Sequence, residues 1–261
     1  MESPMHAFPL VDQYMGIRMG IDLATVEPGR VVVVESPRRL RREQSYGFVH
    51  ALWFLWLDDG RAAVSVPPGA SDGVRAVVAR LQDREGVFGP LLAALLKGQV
   101  DPALRHAGLG EPDRVLCDVD LACNASLLRR HRCGDCRRLT DDSLPIAGGL
   151  DYPSHCFPDG IVYGVVADGK VVCLAHAHRP GVLEDRVADL GVPGTVSAYR
   201  RRGYAKTCVS AVVEQLTRLG GEARYGCAPD NAPSIATARS VGFVPYAVSL
   251  VLAAPASELD D

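Results

Sequence analysis

The chain of 261 residues has no apolar run long enough to cross a bilayer. Its longest, Phe48–Leu57 (FVHALWFLWL), contains a histidine and stops at Asp58-Asp59-Gly60, whereas a spanning helix needs about 20 apolar residues. The first residues, MESPMHAFPL, show no basic stretch followed by an apolar core, so no secretory signal is visible and a cytoplasmic location is expected. Basic excess is also missing: 28 Lys and Arg stand against 31 Asp and Glu, a net charge of −3, which gives no support for a protein that coats nucleic acid. Internal repeats are absent, and low-complexity sequence is confined to a short acidic tail, PASELDD (255–261). What is present is apolar residue, 48% of the chain, enough for one large core or two smaller ones and too much for a disordered protein. The eight cysteines are expected to be reduced and to act mostly as small buried hydrophobes.

The best boundary lies near RRHRCGDCRRL, which divides the chain into an N-terminal α/β lobe (1–132) and a second domain (133–254). In the first lobe VVVV (31–34) and RAAVSV (61–66) read as strands, and residues 74–81 and 91–96 have helical spacing. ESPRRLRRE (35–43) reads as a turn into a solvated helix start. The aromatic group at 46–56 reads as this lobe's core, with part of it available to line an acceptor pocket. In the second half, strands at 161–166 and 171–175 flank Asp168-Gly169, a hairpin signal. A strand at 187–193, an amphipathic helix at 204–219 stopped by Gly220-Gly221, and a strand at 223–227 follow. A short helix capped by Asn231 and ended by Gly242 precedes the last strand, 246–252.

One segment carries chemistry. The strand at 187–193 runs through Arg200-Arg201-Arg202-Gly203-Tyr204-Ala205-Lys206 straight into a helix. A glycine lets backbone N–H groups come close to an anion. The helix start adds the positive end of its dipole, and the arginines add charge, which together suit a diphosphate. The string is neither GxGxxG nor a P-loop, which needs GK followed by Ser or Thr.

Arg200, Gly203 and Ala205, followed by Asn231, Ser234, Gly242 and Phe243, resemble the signature of the GCN5-related N-acetyltransferase (GNAT) superfamily. That signature is Arg/Gln-x-x-Gly-x-Gly/Ala, then Asn-x-x-Ala/Ser on a helix ending in Gly-Phe. The resemblance covers about 137–254 and is strongest to bacterial two-lobed members, a group that includes antibiotic self-resistance acetyltransferases. It implies an α/β GNAT fold, a mixed and mostly antiparallel sheet flanked by helices, with the N-terminal lobe as an addition that completes the acceptor cleft. It also implies acetyl-CoA or another acyl-CoA as co-substrate. The pantetheine arm would run beside Val192–Thr195, the diphosphate would sit on the amides of Arg201, Arg202, Gly203, Tyr204 and Ala205, and Asn231 would contact the cofactor. Pro193 has no N–H and can offer the arm only a carbonyl. The implied activity is transfer of an acyl group to a primary amine of a small metabolite, such as an antibiotic or natural-product intermediate.

Many family members carry a tyrosine acid seven residues after the asparagine; here that position is Ala238. Ser234, Tyr199 and Tyr246 are the substitutes, and a thiol near pKa 8.5 can leave without much protonation. For the base, Asp189 and His176 are preferred over Glu184, Asp185 and His178. Strand alternation puts His176 and His178 on one face. Cys133-x-x-Cys136 with His131, His155 and Cys156 invites a zinc reading, but an adjacent His-Cys is a poor second pair, and no metal is expected. The run Arg38–Arg42 suits a solvated face, or alternatively a carrier protein or tRNA. Two further readings stand beside the first: a GNAT-fold transferase using aminoacyl-tRNA or a carrier-protein thioester as donor, and a non-catalytic acyl-CoA-binding module. No membrane partner is expected, and an oligomer is compatible with everything above.

Overall fold

The computed structural model describes residues 7–42, 48–81, 84–140, 150, 160–178, 182–183 and 186–255. The chain forms two compact units. One comprises residues 15–120 and the terminal strand from Tyr246; the other comprises residues up to Tyr14 and Leu121–Pro245. This division differs from a single cut near 132. Leu121, Cys123, Leu127 and Leu128 pack into the second unit's core, and the last strand belongs to the first unit's sheet.

In the first unit, β1 (Val31–Glu35), β2 (Phe48–Leu57), β3 (Ala62–Val66), β4 (Arg114–Cys123) and β10 (Val244–Pro255) stand in the order β1-β3-β2-β10-β4. The apolar run too short for a membrane is β2, the strand flanked by β3 and β10, both antiparallel to it. A strand flanked on both edges and buried on both faces reads as continuous apolar sequence rather than as alternation. Helices α2 (Ser71–Val78) and α3 (Pro90–His106) cover one face through Val74, Val78, Leu92, Leu96, Val100 and Leu104. The arginine run is not wholly solvated. Residues Pro37–Leu40 form a 3-10 turn capped by Ser36, and Arg39 is fully buried, donating to the Arg18 carbonyl at 2.7 Å beside the Trp53 ring.

The second unit begins with the first turns of α1 (Pro9–Met19) and contains the sheet β9-β8-β7-β6-β5. Its strands are β5 (Asp135–Leu139), β6 (Ile161–Ala167), β7 (Lys170–His178), β8 (Val187–Thr195) and β9 (Glu222–Cys227). The β8–β9 pair is parallel and the others are antiparallel. Asp168 and Gly169, both left-handed (φ 51° and 72°), turn the β6–β7 hairpin. The boundary segment conceals β5, whose charges suit the end of the strand order, where exposed charge blunts further pairing. Helices α4 (Tyr204–Arg218) and α5 (Ala232–Val241) pack on one face against Cys173, Ala175, Ala177, Ala188, Leu190 and Ala223.

Candidate active site

Two irregularities in the sheet create the site. Between β7 and β8 the register shifts: Leu174 faces Gly194 but His176 faces Gly191, so β8 carries one extra residue across Val192-Pro193. A proline, which cannot donate to a ladder, sits naturally at such a bulge. Between β8 and β9 the parallel ladder spans Val187–Asp189 against Glu222–Arg224 and ends there, while the strands continue to Thr195 and Cys227. The side chain of Val192 lies outside the described residues, as do Glu184, Asp185, His155 and Cys156.

Past Thr195, a 3-10 turn (Ser197–Tyr199) leads to the arginine loop. Arg201 (φ 62°) and Gly203 (φ 82°) are both left-handed, and Gly203 is the N-cap of α4 with no side-chain cap bond. Alternation of right- and left-handed residues turns successive N–H groups toward one side, which makes an anion-binding concavity. The first closing bonds of α4 include Thr207 N–H to the Gly203 carbonyl at 3.1 Å, so the amides before it have no intrahelical acceptor.

The arginines are not equivalent. Arg200 Nε donates to the Thr195 carbonyl at 3.0 Å, fastening the loop to the strand end. Arg202 donates to the Ala198 carbonyl and lies over the Tyr199 ring at 5.2 Å. Arg201 is exposed. The Tyr204 ring lies over Gly134, where a Cβ would come within 2.9 Å of it, so Tyr204 offers the loop its amide and places its ring elsewhere. The Thr195 hydroxyl donates to Cys173 Sγ at 3.0 Å.

On the face of the sheet opposite α4, Asp189 pairs in register with His178 and with Arg224, and His176 with Gly191. Arg224 donates to Asp189 Oδ1 at 2.8 Å and the Tyr14 hydroxyl to Oδ2 at 2.7 Å, so both carboxylate oxygens are engaged. Two residues before Arg224 on β9, Glu222 accepts the Leu10 and Val11 amides at 3.0 Å each and caps α1 from a distant strand; burial raises its carboxyl above its ordinary value. The half-buried His176 ring rests on Gly191, where a Cβ would fall 2.3 Å from the imidazole.

At the start of α5, Asn231 accepts the Ser234 amide at 3.2 Å, the ordinary work of an N-cap. Ala238, which stands where a tyrosine acid would, is fully buried. The Ser234 hydroxyl is 2.7 Å from the hydroxyl of Tyr225, the first residue of β9 past the ladder. Tyr199 bonds the Asp168 carboxylate, which holds its phenol above the usual value and commits its hydroxyl.

Cys133 and Cys136 diverge: the Cys133 thiol donates to the Arg202 carbonyl at 3.0 Å, while Cys136 lines a row with Val165 and Cys173 across three strands. Among the described residues no three His, Cys, Asp or Glu side chains gather as metal ligands. Tyr14, Gly191, Arg224 and Tyr225 went unnoticed in the sequence. Tyr14 lies 175 residues from its partner Asp189, a pairing no local pattern announces.

Residues 136–243 match the model of the acetyltransferase (GNAT) family. This stretch, which contains β5 to β9, the arginine loop, α4 and α5, is a GNAT-family domain. The chain is similar to a putative GNAT-family acetyltransferase from Novosphingobium aromaticivorans (21% identity over 56% of this chain and 67% of that one, TM-score 0.46). It is similar also to a GCN5-related N-acetyltransferase from Kribbella flavida (20% identity, 62% and 67%, TM-score 0.43). A third similar structure is a tandem GNAT protein from the clavulanic acid biosynthesis pathway (15% identity, 66% and 60%, TM-score 0.39). The comparison with curated proteins gives no match.

Proposed function

We propose that the protein is a cytoplasmic N-acyltransferase that moves an acyl group, acetyl from acetyl-CoA, to a primary amine of a small metabolite of the antibiotic or natural-product kind. The observation that carries this reading is the uncapped start of α4, opened by left-handed Arg201 and Gly203 at the end of a strand that has parted from its parallel neighbour. The residues fit the group: amides from Arg201 to Ala205 would hold the diphosphate, with charge from Arg200 to Arg202. The strand end from Val192 to Thr195 would flank the pantetheine arm. Its thioester is the acyl donor.

Acyl transfer needs a deprotonated amine and stabilisation of the charge that develops on oxygen and then on sulfur. His176 is assigned the base. It is half-buried and seated on Gly191 beside the bulge, whereas Asp189 has spent both oxygens on Arg224 and Tyr14. Asp189 then serves by fixing that face of the sheet. Ser234 is assigned to the leaving sulfur, since it lies one helical turn before Ala238 and shares its face. That the described cysteines are all free thiols fits a reducing compartment.

Calorimetric titration with acetyl-CoA tests the reading directly. Binding in the micromolar range is expected; no heat at millimolar concentration overturns it.

A further inference from the structure

The Tyr225–Ser234 contact has a direction that its chemistry supplies. Tyr225 is 3% exposed, and burial holds its phenol above the ordinary value, so it keeps its proton. Buried hydroxyls as a rule find an acceptor for their hydrogen. Among the described residues the partner of this hydroxyl is Ser234 Oγ, at 2.7 Å. Either hydroxyl can donate in this contact; the arrangement that satisfies the buried phenol has Tyr225 as donor and Ser234 as acceptor, which leaves the hydrogen of the Ser234 hydroxyl for a different acceptor. Ser234 itself is half-buried, at the edge where β9 leaves the ladder, and its amide is already taken by Asn231.

We infer that Tyr225 is a positioning residue for the leaving group: it pins the Ser234 oxygen so that the serine hydrogen is presented to the sulfur of the departing thiolate. This rests on the acyl-CoA reading above. In the step, the amine nitrogen bonds to the thioester carbon and the carbon–sulfur bond breaks, its electron pair leaving on sulfur. The proton shed by the amine passes to the base. Neither Ser234 nor Tyr225 loses a proton. They lower the energy of the sulfur anion through one hydrogen bond, which Tyr225 strengthens by donating into the same oxygen. A two-hydroxyl chain from strand to helix thus takes over from the tyrosine that Ala238 replaces.

The test compares CoA with desulfo-CoA as binding probes at pH 7 and pH 9.5. In the parent protein CoA should gain on desulfo-CoA by about tenfold as its thiol ionises, the scale of a hydrogen bond to a charged group. Tyr225→Phe keeps the ring packed edge-on against Phe243 at 5.5 Å and removes only the hydroxyl. It should lose most of that gain while binding desulfo-CoA unchanged. Ser234→Ala should lose all of it, and the double variant should be no worse than Ser234→Ala alone. Thiol release from acetyl-CoA should fall in kcat with little change in KM. An undiminished gain in Tyr225→Phe, or additive losses in the double variant, overturns the inference and leaves the acyl-CoA reading standing. Failure of the parent protein to bind either probe overturns both.

Discussion

The GNAT-family domain contains two helix starts built in opposite ways. Helix α5 starts conventionally: Asn231 folds back onto the Ser234 amide, a proline occupies the first turn, and no bare donor is required to wait for a ligand. Helix α4 starts on a left-handed glycine that has no side chain to give, after a left-handed arginine that bears the strain of a positive φ. A serine or aspartate N-cap satisfies an amide from extended backbone, a geometry that the left-handed residue 203 does not adopt. Leaving those donors bare makes sense where an anion completes them. The closed start serves the fold, while the open start keeps bare the donors to which the proposed function assigns a diphosphate.

Gly203→Asp breaks the contrast most severely. It places a carboxylate where the diphosphate belongs, and like charges in contact cost several kcal/mol, so acetyl-CoA affinity should drop by about 100-fold or more. The left-handed backbone at 203 makes the aspartate cost about 1–2 kcal/mol, and the fold should persist at that cost, because the nearest atom to a Cβ there is the flexible Lys206 Cε at 3.3 Å. Circular dichroism together with calorimetry separates the two effects. Neutralising Arg200, Arg201 and Arg202 together to alanine should weaken binding by about tenfold and flatten its dependence on salt. A titration series in sodium chloride reads both.

Asn231→Ala addresses the closed start. It should cost about 1 kcal/mol of stability and move acetyl-CoA affinity by less than about threefold, as thermal unfolding and calorimetry would report. A far larger loss of affinity would put Asn231 on the cofactor, as the family resemblance implies. Glu214 gives a smaller effect at the far end of α4, where Arg132, Arg130 and Arg218 converge on its carboxylate. Their hydrogen bonds and charge, Arg132 first, hold the carboxyl below its ordinary value. Its contribution to stability is therefore complete above the ordinary carboxylate range and is lost as pH falls through the lowered value. Glu214→Gln should flatten that acid limb in a series of melting temperatures. Smallest of all, Arg38→Glu with Arg41→Glu should leave acetyl-CoA affinity and transfer unchanged. Loss of transfer from a carrier-protein or tRNA donor in that variant would favour such a donor instead.

Local chemistry accounts for what could be read without coordinates. The β6–β7 hairpin followed from Asp168-Gly169, α4 from its 3–4 spacing, and α5 from a capping asparagine and a left-handed Gly242 (φ 111°). Each of these signals is contained within a few residues. β5 escaped because a charged strand at the end of the sheet order shows no apolar alternation, and α1 escaped because its cap, Glu222, lies more than two hundred residues away. The arginine loop was legible as a strand-to-helix turn opened by Gly203, yet the unequal duties of Arg200, Arg201 and Arg202 were not.

The chain's order of residues thus determined the β6–β7 hairpin, the helices α4 and α5 and the left-handed turn that opens α4, because propensity, capping and left-handed glycines act over one or two turns. The tertiary structure alone decided which side chains remain available for chemistry. Whether Asp189 is free or paired, where His176 rests, and that the Ser234 hydroxyl meets Tyr225 depend on neighbours brought together by packing across strands. Such neighbours meet only when burying apolar surface has closed the sheet around them.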